Sequence, residues 1–127
     1  RPGTAEERIK SFVQDVVRQI AHAESLTREI LLELMRMSSR PGEALPYLLR
    51  VYEPFGIVII EGQEQGNVRR DFDAKLLAEM VIGTLHMALV GWLNDNQYPF
   101  GKRLIECADL LGELLRPPKM YRQLNGA

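Results

Sequence analysis

Phe55-Gly56-Ile57-Val58-Ile59-Ile60-Glu61 is a β-branched run that suits a buried strand as well as a helix, and the fold class turns on it. A strand needs a partner, because unpaired buried backbone is costly, and the rest of the chain offers no second strand candidate. The run is therefore read as helix and the chain as all-α. Upstream, residues 43–52 read as a shorter helix: Pro46 is tolerated in a first turn, and Ala44, Leu45, Leu48, Leu49 and Tyr52 follow helical spacing. Glu53-Pro54 ends or kinks it. Downstream, Gly62-Gln63-Glu64-Gln65-Gly66-Asn67 closes the segment, and Asp71 or Asp73 caps the next helix.

Toward the start of the chain, Thr4-Ala5-Glu6-Glu7 fits a capping box, in which the Thr hydroxyl and the Glu carboxylate satisfy free backbone N–H groups. The helix it opens runs over residues 4–23. Ile9, Phe12, Val13, Val16, Val17 and Ile20 fall within an arc of about 140° at 100° per residue, a single buried face. Ser25 or Thr27 can cap a second helix reaching about Met37, with Leu26, Ile30, Leu34 and Met37 on one stripe and Leu31 and Met35 beside it. Ser38-Ser39-Arg40-Pro41-Gly42 breaks that pattern.

Residues 74–95 make a long helix of roughly 33 Å at 1.5 Å per residue. Its apolar side chains run nearly all the way round, leaving Lys75, Glu79 and His86 as the polar stripe. The last helix, residues 101–116, is stopped by Pro117-Pro118 and carries an apolar arc of about 220° against Lys102, Glu106, Asp109, Glu113 and Arg116. Both helices need more than one apolar neighbour. About six helices are expected in all.

The 127 residues are 46% hydrophobic and 26% charged, the balance of one ordinary domain with a mostly aliphatic core. Sixteen basic against 17 acidic residues exclude a basic nucleic-acid-binding face. The one cysteine, Cys107, excludes an internal disulfide and a cysteine-based zinc site, so a reducing, cytoplasmic setting is expected. The longest charge-free stretch, residues 80–94, is too short to span a bilayer, and no export segment is visible. The missing initiator Met suggests a cut chain.

No enzyme constellation is present. Cys107 has no His at helical spacing to activate it and reads as a structural thiol. His22 and His86 belong to no metal-ligand pair, Gly62 and Gly66 match no phosphate loop, and no G-x-S-x-G occurs, so neither metal nor cofactor is implied. Two features remain. His86 interrupts an apolar helix and is either a satisfied core residue or a polar anchor in a cavity. Met35, Met37, Met80 and Met87 fit irregular ligands as well as irregular core gaps.

The order of helices, the turn Gly66-Asn67-Val68-Arg69-Arg70-Asp71-Phe72-Asp73, the segment Leu77-Ala78-Glu79-Met80-Val81-Ile82-Gly83 with a late Trp92, and Arg103-Leu104 on the final helix resemble the C-terminal domain of the tetracycline-repressor (TetR) family of bacterial transcriptional regulators. The resemblance covers nearly the whole chain. It implies a ligand-binding and dimerisation domain whose last two helices pair with their symmetry mates as a four-helix bundle. It implies no DNA contact by this chain, since the family's N-terminal helix-turn-helix is absent and Thr4 falls where the connecting helix would start. A homodimer then explains the two over-apolar helices, with Leu111 and Leu115 central, Leu104 and Ala108 beside them, and Gly83 or Gly91 at the close approach. An effector pocket is expected between the second helix, residues 52–61 and the long helix. Its wall is Leu34, Met35, Met37, Phe55, Ile59 and Met80, with Tyr52, Glu61 and His86 as polar groups; such a wall suits a small apolar or aromatic effector. The competing classes are a stand-alone adaptor binding a partner helix and a small helical enzyme.

Overall fold

The computed structural model describes the backbone of residues 3–38 and 45–119 and the side chains of residues 3–36 and 52–119. Within them lie α1 (Ala5–His22), α2 (Glu24–Ser38), α3 (Leu45–Gln65), α4 (Ala74–Asn94) and α5 (Phe100–Leu115), with no strand among the described residues. The fold is all-α. The helix count differs from the expected six because residues 45–65 form one continuous helix; residues 43 and 44 lie outside the described part. Pro54 sits inside α3 and removes one backbone donor without ending it. Phe55 and Ile59, one turn apart, are buried in the core and hold the downstream half in register. The β-branched run behaves as a helix should: Ile59 is 0% exposed, while Ile57 and Ile60 are each 50% exposed. A strand would have placed Ile57 and Ile59 on the same face.

The capping box at α1 is complete, with Thr4 Oγ1 accepting from the Glu7 amide and Glu7 Oε1 accepting from the Thr4 amide. At α2 the expected caps are displaced: the helix begins at Glu24, and Thr27 lies inside it, donating its amide to the Ala23 carbonyl. Asp73 precedes α4 without a side-chain cap bond, and Asp71 is taken by Arg69. Gly66 ends α3 at φ +81°, a left-handed turn that a side chain would strain, and the Asn67 and Val68 amides then donate to the Gly62 carbonyl.

The core is built on α1 against α5. Ala5, Ile9 and Val13 form one buried stripe of α1, and Leu104, Ala108, Leu111 and Leu115 face it from α5. α4 packs on α3 and α5 through Leu77, Val81, Leu85, Ala88 and Trp92, the last stacked on Phe100 at 4.6 Å. By length and composition α4 could cross a membrane, but its inward stripe belongs to this bundle. α2 has no fully buried residue among those described; it is tied to the end of α4 by Arg28, which donates to the Leu93 carbonyl at 2.9 Å.

Charge closes the α1–α5 contact at its end. Arg116 donates to both oxygens of Glu6, at 2.8 and 2.7 Å, and Lys10 donates to the same carboxylate at 3.0 Å. Gly112 makes room for it, since a Cβ there would come within 2.8 Å of the Glu6 side chain. The Arg116 bond, then that of Lys10, lowers the Glu6 pKa from 4.5 to about 2. Because the folded-state value is the lower one, the stabilisation is present above pH 4.5 and fades as pH falls toward 2. Arg116 is half exposed, so screening leaves about 1 kcal/mol. Glu6→Gln should therefore lose about 1 kcal/mol in urea unfolding at pH 7, and the gap to the native chain should narrow steadily as the same measurement moves below pH 4.5.

Candidate ligand cavity

A second stripe of α1 lies beside the buried one. Phe12, Val16 and Ile20, each four residues apart, line a cavity of about 450 Å³ together with Val13 of the buried stripe. Thr27 and Leu31 of α2, Tyr52 and Phe55 of α3, Leu85, His86 and Leu89 of α4, and Phe100 and Leu104 of α5 complete the wall. All five helices contribute. Phe12 and Phe55 meet edge to face at 5.2 Å, and Phe12 is about half exposed, which places it at the opening. Asp15 and Gln19 are exposed residues of the rim, and Asp15 is paired with Arg18. Among the described residues no lysine or arginine lines the cavity.

Among the described residues the wall holds one hydrogen-bonded polar pair, with Thr27 as a further polar residue. Tyr52 Oη lies 2.7 Å from His86 Nδ1, and the two rings meet at 80°. Burial pushes the Tyr52 phenol above its ordinary 10, so it stays protonated. The pair couples α3 to α4 across the cavity wall. Such a site can hold an apolar molecule of modest size and orient it through one or two hydrogen bonds.

A family model described as the C-terminal region of YsiA-like proteins, a TetR C-terminal model, matches residues 3–113. The chain belongs to this family of TetR C-terminal domains. No curated protein and no solved structure matches it. TetR C-terminal domains are regulatory, and the chain's biological setting is transcription regulation.

In this TetR-family domain the residues anticipated as ligand contacts separate into two groups. Tyr52, Phe55 and His86 come together on the cavity wall. Ile59 does not reach it, because its position on α3 turns it wholly into the core. Glu61 is held by Arg8 at 3.0 Å. Met80 packs partly against the core, and Leu34 and Met35 are half-buried on α2 beyond the cavity wall. The Met37 side chain lies outside the described residues. What sequence reasoning missed is the α1 and α5 side of the wall. The signal was present in the width of the α1 face, which holds two parallel stripes at four-residue spacing where one was counted.

The interface residues need a correction too. Leu104, Ala108, Leu111 and Leu115 are buried inside the single chain by α1, Leu111 to 0% exposure, and offer a partner no surface. The neighbour that the α5 arc demanded is supplied within the subunit. Gly91 likewise serves an internal contact, since a Cβ there would meet the Tyr98 ring at 2.8 Å. Gly83 differs: space around it is open.

These placements separate core from wall energetically. Ile59→Ala should cost about 3 kcal/mol through the void it leaves, whereas Glu61→Gln, losing a partly exposed ion pair, should cost less than about 1 kcal/mol. Urea melts of the two variants measure both.

Proposed function

We propose that this domain binds a small, mostly apolar effector, aromatic compounds included, in the 450 Å³ cavity, and that occupancy regulates DNA binding by a helix-turn-helix domain of the cytoplasmic regulator to which it belongs. The observation that carries this reading is an apolar cavity walled by all five helices with one polar pair inside. Its volume is that of a drug-sized site. The lack of a cationic lining residue among the described residues disfavours a strongly anionic effector, because a buried carboxylate or phosphate would have no partner among them.

The domain acts as a homodimer on this reading. Support comes from the outward faces of α4 and α5, where Met87 is 65% and Leu110 51% exposed, with Leu76 and Leu114 also exposed and Gly83 open between them. Thr84, Met87 and Gly91 of α4 and Arg103 and Cys107 of α5 share one groove on that side, continuous with this face. An apolar surface of this kind on two adjacent helices fits a self-complementary four-helix contact around a two-fold axis.

A fluorescence or melting screen of apolar aromatic compounds tests the effector. A true ligand at about a hundred times its Kd should add about 2.7 kcal/mol, a rise of about 10 °C in Tm for a domain of this size; no stabilising compound across the screen would refute the reading. Light scattering tests the dimer. The native chain should have the mass of two subunits, and Leu110→Glu should give a folded monomer. Leu111→Glu should instead unfold the chain, because it buries an uncompensated charge in the subunit core.

A further inference from the structure

The Tyr52–His86 pair does more than supply polarity. Its atoms fix which hydrogen-bonding role the cavity presents. A neutral imidazole carries one N–H and one bare nitrogen, and the bare nitrogen is a better acceptor than a phenol oxygen. With Tyr52 Oη 2.7 Å from His86 Nδ1, the favourable arrangement has the phenol donating to Nδ1. The phenol keeps its proton for this, since burial raises its pKa. The imidazole proton must then sit on Nε2. Among the described residues none accepts from Nε2, and His86 stands on the cavity wall together with Leu85, Leu89 and Phe55.

We propose that Tyr52 holds His86 as a hydrogen-bond donor at Nε2, so that the cavity selects neutral, largely apolar molecules bearing one acceptor oxygen, such as an aryl ketone or an ester, over hydrocarbons of the same shape. The inference rests on the reading of the cavity as an effector site and adds the chemical class of the effector. A hydrocarbon filling the same space would strip water from the Nε2–H and leave it unpaired, whereas a carbonyl oxygen satisfies it. A carboxylate would accept the same bond, but none of the described lining residues offers it a countercharge. Tyr52 is a positioning residue: it acts on the ligand through the tautomer it imposes on His86.

Two probes of matched shape test this, butyrophenone and 2-phenyl-1-pentene, in which a methylene replaces the carbonyl oxygen. Titration of the native chain should show the ketone bound about tenfold tighter or more, the usual consequence of leaving a buried donor unpaired. His86→Leu should abolish that preference, and His86→Gln, whose amide is again a donor, should restore part of it. Tyr52→Phe should weaken the preference, and ¹⁵N spectra of the histidine ring should show His86 moving from the Nε2–H tautomer in the native chain to a mixture in the variant. Equal binding of the two probes by the native chain would overturn the inference while leaving the cavity an effector site. Binding of neither probe up to their solubility would remove both. A native His86 protonated at Nδ1, or a Tyr52→Phe variant with unchanged tautomer and unchanged preference, would overturn the role assigned to Tyr52.

Discussion

The contact of α1 with α5 is the constraint on which the rest of the molecule depends. Ala5, Ile9 and Val13 can approach Leu104, Ala108, Leu111 and Leu115 closely because Ala5 and Ala108 are small and Gly112 leaves room for Glu6. The Glu6 carboxylate then receives Arg116 and Lys10, and the Ala5 amide donates to Asn67 Oδ1 in the turn after α3. That turn is joined in its own right to the end of α5, where the Arg69 amide donates to the Leu115 carbonyl. Three chain segments thus meet at one end of the bundle through short side chains and paired charges. The apolar stripe provides most of the stabilisation, since exposed ion pairs contribute little, but the charges fix the register in which the stripe packs.

The cavity is a consequence of that register. With Ala5, Ile9 and Val13 committed to α5, the neighbouring stripe of Phe12, Val16 and Ile20 must face elsewhere. α3 reaches it at one point, where Phe55 meets Phe12 edge to face. Also on that wall is Tyr52 bonded to His86, a pair whose polar atoms resist burial in a dry core and hold α3 and α4 at their present separation. α2 does not fill the gap, because none of its described side chains is fully buried and Arg28 ties it to the end of α4.

How much of this could be read from the chain depends on the kind of signal. The capping box and the α1 face were legible, because each is a local pattern with a period. So was the helical state of residues 55–61, by the argument that a lone strand has no partner. The continuity of α3 through Pro54 was not, since proline predicts a break and only tertiary burial of Phe55 and Ile59 overrides it. Tyr52 and His86 were recognisable as polar groups on apolar helices, but their pairing spans 34 residues of sequence and has no local trace. Leu111 shows the limit most clearly. Periodicity correctly demanded two apolar neighbours for α5, yet periodicity counts neighbours without saying which chain provides them; α1 took the place assigned to a second copy.

On the proposed reading, the division of α1 decides how a ligand can act. Its first turns, around Ala5, Glu6 and Ile9, are fixed to α5 and to the turn after α3, while Phe12 to Ile20 carry the cavity wall. A molecule entering the cavity presses on Phe12, Val13, Val16 and Ile20 and meets Leu104 of α5, but it does not reach Ala5, Glu6 or Ile9. From Glu6 to Ile20 the helix rises about 21 Å at 1.5 Å per residue. Sliding α1 along α5 would break the Glu6 contacts and move Ala5, Ile9 and Val13 out of register together, so a ligand acts on α1 most cheaply by displacing its Val16 to Ile20 end. α4 is the other wall that can respond. It carries Leu85, His86 and Leu89 on the cavity side and Gly83 and Met87 on the outward side. One rigid helix thereby touches both the ligand and the face proposed to meet a second subunit. The apolar character around nearly its whole circumference is then the signature of a helix that serves a core, a cavity and an interface at once.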